Sequence, residues 1–105
     1  MKYYSVAEMD ITDRAWVQNY VGTVTKMVER YGGRYLARTN RAEKLEGDRA
    51  PRQVFVVVEW PSREAAMAFY ESDEYRAFRD SRQRGATNEF FLLPGEDVTQ
   101  QATME

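Results

Sequence analysis

The chain has 105 residues, a length at which one domain with a single hydrophobic core is expected. It contains 15 lysines and arginines, 17 aspartates and glutamates, and neither cysteine nor histidine. Without those two residue types, disulfides, thiol nucleophiles, Cys or His zinc sites, histidine haem ligands and a Ser-His-Asp triad are excluded. The formal charge of −2 also argues against a nucleic-acid partner, because domains that bind nucleic acid usually carry a basic excess.

The hydropathy pattern is typical of a globular protein. Hydrophobic residues make up 43% of the chain, which is enough for a core, and charged residues make up 30%. The longest apolar run, residues 54–58, is far shorter than the roughly 20 residues that span a bilayer. Residues 1–5 lack the apolar run of a secretory signal, so we expect a cytoplasmic protein without a membrane partner.

The first third of the chain predicts a strand followed by a helix. Residues 2–9 are rich in tyrosine and other residues that favour extended backbone. Thr12 or Asp13 can cap a helix, and apolar residues then recur at spacings of three and four over residues 14–31. The glycines at residues 32–33 supply the positive φ with which helices commonly end.

The middle of the chain predicts two more strands. Residues 34–38 form the second strand, and residues 53–60 form the clearest strand of the sequence. Pro61 ends that strand because it cannot donate a ladder hydrogen bond. Between the two strands, residues 39–52 are polar, and we expect an excursion there with a short extended piece at residues 44–46.

The last third predicts a broken helix and a fourth strand. Ser62 is a favourable N-cap for a helix that reaches Tyr70, and Ser72 caps a second helical piece that ends near Gly85. Residues 89–93 form the last strand. The resulting order β-α-β-β-α-β predicts an α+β, ferredoxin-like fold with a four-stranded antiparallel sheet and both helices on one face.

We expect a single domain over residues 1–95 and a polar tail over residues 96–105. The third strand is apolar on both faces, with Phe55 and Val57 on the face opposite Val58 and Trp60. The last strand repeats this pattern. A sheet face in contact with water should be largely polar, so we predict that a second copy covers it and forms a homodimer. The alternative is a pair of central strands with a few exposed apolar residues.

Four segments carry a family resemblance: residues 31–38, 45–48, 59–62 and 70–75. Together they resemble the family called domain of unknown function 1330, and the likeness covers about residues 2–95. The resemblance implies a dimeric α+β barrel. The wider superfamily includes cofactor-free monooxygenases, muconolactone-isomerase-like enzymes and haem-handling proteins, so the resemblance transfers a fold and not a reaction.

Glu8 and Glu59 are the candidate catalytic residues. We expect the first and third strands to be parallel neighbours, which would bring the two side chains together on one face. Two carboxylates in a partly apolar site can retain a proton at neutral pH and act as acid or base. The alternative is that each glutamate pairs with an arginine, such as Arg34.

Arg34 and Arg38 are candidate ligand-binding residues. They lie four residues apart on a predicted strand, so both should point to one side and Tyr35 to the other. Two guanidinium groups could clamp a carboxylate-bearing ligand. The alternative is internal salt bridging to acidic residues such as Glu46 and Glu59.

Arg82 matches a position of the resembled family and is predicted to point inward beside Tyr70 and Tyr75. The aromatic wall of such a pocket would include Trp60 and Tyr70, together with Trp16 and Tyr20. The alternative is a solvated helix face and an ordinary aromatic core. Residues 45–48 lack the spacing of a calcium loop, so no metal site is predicted.

Two functions remain open. One is a small-molecule-binding dimer that takes a small aromatic or acidic ligand, with cofactor-independent monooxygenase or isomerase-like chemistry. The other is a non-catalytic dimeric binding or regulatory module. No cofactor is expected, and a haem-binding variant would depend on Tyr or Met as iron ligand.

Overall fold

The computed structural model describes residues 1–99, which form one four-stranded antiparallel sheet with its helices packed on one face. The strands are β1 (Tyr3–Ile11), β2 (Arg34–Thr39), β3 (Val54–Trp60) and β4 (Ala86–Pro94), in the order β2-β3-β1-β4. A single 3-10 turn (Arg14–Trp16) precedes α1 (Val17–Arg30), and the later helices are α2 (Arg63–Tyr70) and α3 (Asp73–Gly85). The predicted ferredoxin-like α+β fold is confirmed.

The helix ends follow the predicted capping residues. Asp13 accepts a hydrogen bond from the backbone N–H of Ala15 at 2.9 Å. Ser62 and Ser72 cap α2 and α3 in the same way, each accepting from a backbone N–H three residues later, at 3.1 and 3.2 Å. Gly32, with φ of +93°, ends the first helical segment in a conformation that favours glycine.

The strand boundaries differ from the sequence-based expectation in two places. β1 continues to Ile11, which pairs with Ala86 at the start of β4, so both strands are longer than predicted. The extended piece predicted at residues 44–46 is absent, and the segment between β2 and β3 is irregular. Its end is fixed by the Gln53 side chain, which accepts from the N–H of Ile11 at 2.8 Å. Only part of the predicted tail, residues 96–99, lies within the described residues.

The helix-facing side of the sheet carries the core. Alternate residues of β1 (Ser5, Ala7 and Met9) are buried there, as are Val58 and Trp60 of β3. Trp60 stacks on Phe69 of α2, and Phe69 lies against Tyr75 of α3 with ring centroids 4.2 Å apart. These aromatic contacts hold α2 and α3 over the sheet.

The opposite side of the sheet, the open face, is apolar along its middle, as the strand pattern predicts. Val6 of β1 lies between Val57 of β3 and Phe91 of β4. Phe91 is 52% exposed and Leu93 is 47% exposed. No helix among residues 1–99 covers this face, and none is long and apolar enough to cross a membrane.

The expectation that β1 and β3 run parallel is wrong. The crossover through α1 makes β1 and β2 parallel, and β3 returns between them, so it is antiparallel to both. Glu8 therefore pairs with Phe55, whereas Glu59 pairs with Tyr4. The two glutamates share the open face but lie four positions apart, roughly 14 Å along the strands.

Gly85 should be intolerant of a side chain. A Cβ atom there would lie 2.2 Å from Nε1 of Trp16, and the same indole N–H donates to the Gly85 carbonyl oxygen at 3.1 Å. Gly85→Ala is therefore expected to lower the free energy of unfolding by about 1–3 kcal/mol, measured by urea denaturation followed by circular dichroism.

Gly22 provides the matched control because it lies within α1 and a Cβ there would meet nothing within 4 Å. Gly22→Ala should raise the free energy of unfolding by about 0.5–1 kcal/mol through helix propensity. Equal effects of the two substitutions would contradict the proposed packing of Gly85 on Trp16.

Candidate functional site

A cavity of about 250 Å³ lies between the sheet and the helices and is called here the central cavity. β1 and β3 form its floor, α1 forms one side, and α3 closes it. Its wall is apolar, with aromatic side chains on several sides: Trp16, Tyr20, Tyr35, Trp60, Phe69, Tyr75 and Phe90. The charged residues in its lining are Arg38 and Arg82.

Arg82 lies in the last turn of α3 and is only 2% exposed. Its Nη1 donates to the side-chain oxygen of Asn88 at 2.9 Å, and its Nε donates to the hydroxyl of Tyr75 at 3.4 Å. The Asn88 amide in turn donates to the carbonyl oxygen of Ala86 at 2.9 Å. Asn88 therefore holds the guanidinium plane in one orientation against the cavity.

The positive charge of Arg82 has no carboxylate partner within residues 1–99, and its Nη2 makes no hydrogen bond there. The Phe90 ring, 5.1 Å from the guanidinium carbon, supplies some cation–π stabilisation. Burial alone lowers the pKa of Arg82, but the oxygens of Tyr75 and Tyr20 raise it, and the net pKa lies above the ordinary value. Burying a cation costs free energy unless an anion or hydrogen bonds compensate for the lost hydration.

Tyr20 of α1 and Tyr75 of α3 meet beside Arg82 with their hydroxyl oxygens 2.6 Å apart. Burial, and then the neighbouring Tyr75, raise the pKa of Tyr20 well above its ordinary value, so its phenol keeps its proton at neutral pH. One of the two hydroxyls donates to the other, and the hydrogen of the accepting hydroxyl remains for a third group.

These groups together form a donor site inside an apolar cavity. The wall offers two kinds of donor to an oxygen that carries negative charge: the guanidinium of Arg82, whose Nη2 makes no hydrogen bond within residues 1–99, and the remaining phenol hydrogen. Such hydrogen bonds are stronger in a site shielded from water than on a surface. The arrangement is suited to hold a carboxylate, enolate or phenolate.

Arg38 lies at the mouth of the central cavity and is exposed. Its guanidinium carbon sits 4.0 Å from the centre of the Tyr35 ring, and its Nη1 donates to the hydroxyl of Thr25 at 2.7 Å. Burial raises the pKa of Tyr35, and Arg38 partly opposes that rise. Arg38 is thus placed where an incoming anion would first meet positive charge.

The expectation that Arg34 and Arg38 share a face is wrong. The pairing of β2 with β3 shifts between Tyr35 and Ala37, so that Leu36 forms a bulge. An extra residue reverses the side to which the following side chains point. Arg38 consequently lies on the helix side with Tyr35, while Arg34 lies on the open face, 3.7 Å from Glu59.

Glu8 and Glu59, the predicted catalytic pair, lie outside the central cavity. Glu59 pairs with Lys2 at 3.1 Å as well as with Arg34, as the salt-bridge alternative expects. Glu8 pairs with Arg49 at 2.7 Å and lies 3.7 Å from Arg52. Their positions do not favour joint acid–base chemistry.

Trp60 and Tyr70 have different surroundings. Trp60 is buried, lines the central cavity and donates from its indole nitrogen to the hydroxyl of Ser5 at 3.1 Å. Tyr70 lines a neighbouring cavity under α2, with the guanidinium of Arg79 5.3 Å from its ring centre. Of the predicted ligand-binding residues, the central cavity therefore brings together Arg38, Trp60 and Arg82, and leaves out Arg34 and Tyr70.

Sequence reasoning missed Asn88 and Ser5. Asn88 lies just before the strand predicted at residues 89–93, and a strand that begins at Ala86 places it on the helix side. Ser5 alternates with buried Ala7 and Met9, which marks it as a polar residue on the core face. Residues 1–99 contain no group of acidic side chains arranged to hold a metal ion.

Comparison with known proteins gives one family and several similar folds. A model of the family described as "Domain of unknown function (DUF1330)" matches residues 2–96. The RPA0582 protein of unknown function from Rhodopseudomonas palustris superposes with a TM-score of 0.71 at 18% identity, covering 91% of this chain and 84% of that one. No match to a curated protein sequence reaches significance.

Two further structures are similar in fold and carry functional names. SnoaB, a cofactor-independent oxygenase from Streptomyces nogalater, superposes with a TM-score of 0.63 at 12% identity, covering 91% of this chain and 94% of that one. An antibiotic biosynthesis monooxygenase superposes with a TM-score of 0.52 at 14% identity, covering 92% and 100% of the two chains. At these identities the likeness shows a common fold.

Arg82 should contribute little to stability despite its burial. Arg82→Met removes a buried charge together with its hydrogen bonds to Asn88 and Tyr75 and keeps much of the side-chain volume, so these effects should offset each other and the free energy of unfolding should stay within about 1 kcal/mol of the wild-type value. Urea denaturation of the two proteins measures the difference. A loss of about 3 kcal/mol or more would mean that the guanidinium holds the fold together.

Arg52→Met is the matched control for this prediction. Arg52 pairs with Asp10 and Glu89 at 2.9 Å each on the open face. Its removal leaves two carboxylates without their partner and should lower the free energy of unfolding, in contrast to Arg82→Met.

Proposed function

The chain belongs to the DUF1330 family, whose function is not assigned, and we propose that it binds a planar small-molecule anion in the central cavity. The observation that carries this proposal is the guanidinium of Arg82, buried in the cavity wall without a carboxylate partner in residues 1–99. A guanidinium held in the wall of an apolar cavity without a carboxylate partner is suited to bind a ligand that carries negative charge.

The chemistry of the wall defines the ligand class. Aromatic side chains surround the space, which favours a flat apolar body, and the hydrogen-bond donors gather at one end around Arg82. Both charged residues in the lining are arginines, and Tyr20 retains its proton at neutral pH. The ligand therefore enters as an anion, such as an aromatic carboxylate, an acidic phenol or an enolised ketone.

For a catalytic role of the central cavity, cofactor-independent oxygenation is the reaction that the site supports best. An ionised aromatic substrate could react with O2 directly: a methylene carbon becomes a carbonyl by losing four electrons, one oxygen atom enters the product, and the other leaves as water. Arg82 and the tyrosine pair would stabilise the substrate anion before and during that step. The similar folds named as oxygenases favour this candidate.

We also propose that the protein is a homodimer paired through the open face. Val6, Val57 and Phe91 form an apolar centre on that face. Ion pairs flank it, with Glu59 among cations at one end and Arg52 among carboxylates at the other. An apolar centre with a charged rim is typical of protein interfaces, and the family resemblance implies the same pairing.

Ligand binding can be tested with 2-naphthoate and its neutral analogue 2-naphthamide by isothermal titration calorimetry. We expect naphthoate to bind about ten- to a hundredfold more tightly than the amide because of the charged hydrogen bonds to Arg82. Its affinity should stay constant from about pH 6 to pH 9, since the lining of the central cavity contains neither histidine nor a carboxylate.

Arg82→Met should reduce the preference for naphthoate to near unity. Arg76→Met, which removes an exposed arginine of the same helix, should leave the preference unchanged. A wild-type protein that binds both probes equally, or neither probe, would contradict the proposed anion site.

The dimer can be tested by size-exclusion chromatography with light scattering. Wild-type protein at micromolar concentration should show twice the 12.3 kDa mass of one chain. Phe91→Glu places a charge in the apolar centre of the open face and should give the single-chain mass. Ala68→Glu, on the exposed side of α2, is the control and should remain dimeric. A wild-type protein with the mass of a single chain would contradict the proposed dimer.

A further inference from the structure

We infer that a second cavity, beneath α2, receives an apolar extension of the ligand whose anionic end is held by Arg82. This cavity, called here the α2 cavity, has a volume of about 230 Å³. The inference rests on the proposed function, since it concerns the other end of the same ligand. It adds a specificity site that is separate from the donors around Arg82.

The two cavities share a wall. Ser5, Trp60, Phe69 and Phe90 line both of them. Phe90 contacts a residue of each cavity, because the guanidinium carbon of Arg82 is 5.1 Å from its ring centre and the centre of the Tyr70 ring is 5.5 Å from it. Phe90 is therefore next to both the anion site and the α2 cavity.

The remaining wall of the α2 cavity is apolar and partly fixed. Ala66, Met67 and Leu92 contribute aliphatic surface, and Tyr70 contributes its ring. Arg79 donates to the carbonyl oxygen of Tyr70 at 2.9 Å and lies over the same ring, which holds the end of α2 in place. The hydroxyl oxygen of Ser5 accepts from the indole N–H of Trp60, so these two polar groups are paired with each other. An alkyl or aryl group therefore fits this space better than a polar one.

The space exists because of the residues on α2. The helix has only eight residues, and small side chains, Ala65 and Ala66, lie on the side that packs against the core. Larger residues there would fill the gap to β4. The sequence thus leaves room next to a site that already binds the rest of the ligand.

The volumes of the two cavities also favour a single ligand that occupies both. Sites for drug-sized ligands usually measure about 300–1,000 Å³. Each cavity alone falls just below that range, whereas the two together fall within it. A ligand that spans both would bury most of its surface, as tight small-molecule ligands do.

The test is a series of 3- and 4-alkylbenzoates, from methyl to pentyl, compared with benzoate by isothermal titration calorimetry. The alkyl chain is attached at either the 3 or the 4 position of the benzoate ring, so that it is tested in two directions relative to the carboxylate. In one of the two series, affinity should rise about fourfold for each added methylene until the α2 cavity is full, and then level off.

Met67→Trp narrows the α2 cavity without touching the lining of the central cavity. It should abolish the dependence on chain length and leave the affinity for benzoate unchanged. Ala66→Leu is the second filling variant and should have the same effect. Ala68→Trp, on the exposed side of the same helix, is the control and should keep the dependence.

The outcomes separate this inference from the proposed function. Tight benzoate binding with no gain from longer chains in either series would overturn the α2 cavity as a ligand site and leave the anion site intact. A gain that persists in both Met67→Trp and Ala66→Leu would overturn it as well. If neither benzoate nor any alkylbenzoate binds to the wild type, the proposed function and this inference fail together.

Discussion

The buried guanidinium of Arg82 is the constraint around which the helix side of this protein is organised. A charge that is 2% exposed must be oriented and partly solvated by the protein, and Asn88 and Tyr75 perform that task. Their hydrogen bonds leave Nη2 without a partner among residues 1–99, in a side chain that lines the central cavity. The aromatic residues around it exclude water, which makes the remaining donor sites more effective toward an anion.

The sheet separates two kinds of electrostatic environment. On the open face, carboxylates and cations neutralise each other, as Arg52 does with Asp10 and Glu89. On the helix side, both charged residues that line the central cavity are arginines. Side chains along a strand alternate between its two faces. A short sequence can therefore carry neutralised charges on one face and positive charge without a carboxylate partner on the other.

Much of the fold was predictable because its signals are local. Ser62 and Ser72 act as helix caps whatever surrounds them, and Gly32 ends a helix by its own backbone freedom. The errors concern relations between distant segments. The direction of β3 relative to β1 depends on the whole connectivity, and the bulge at Leu36 has no signature in the residues themselves, yet it separates Arg34 from Arg38.

The amino-acid sequence alone determined the element order, the apolar character of both sheet faces and the restriction of chemistry to acidic, basic and phenolic side chains, because composition and periodicity are properties of the chain itself. Only the tertiary structure decided which of those side chains meet. It paired Glu8 and Glu59 with cations on the open face, and it enclosed Arg82 with Tyr20 and Tyr75. The physical reason is that burial and partner choice depend on strand direction and register, and one reversed strand or one bulge moves a side chain to the other face.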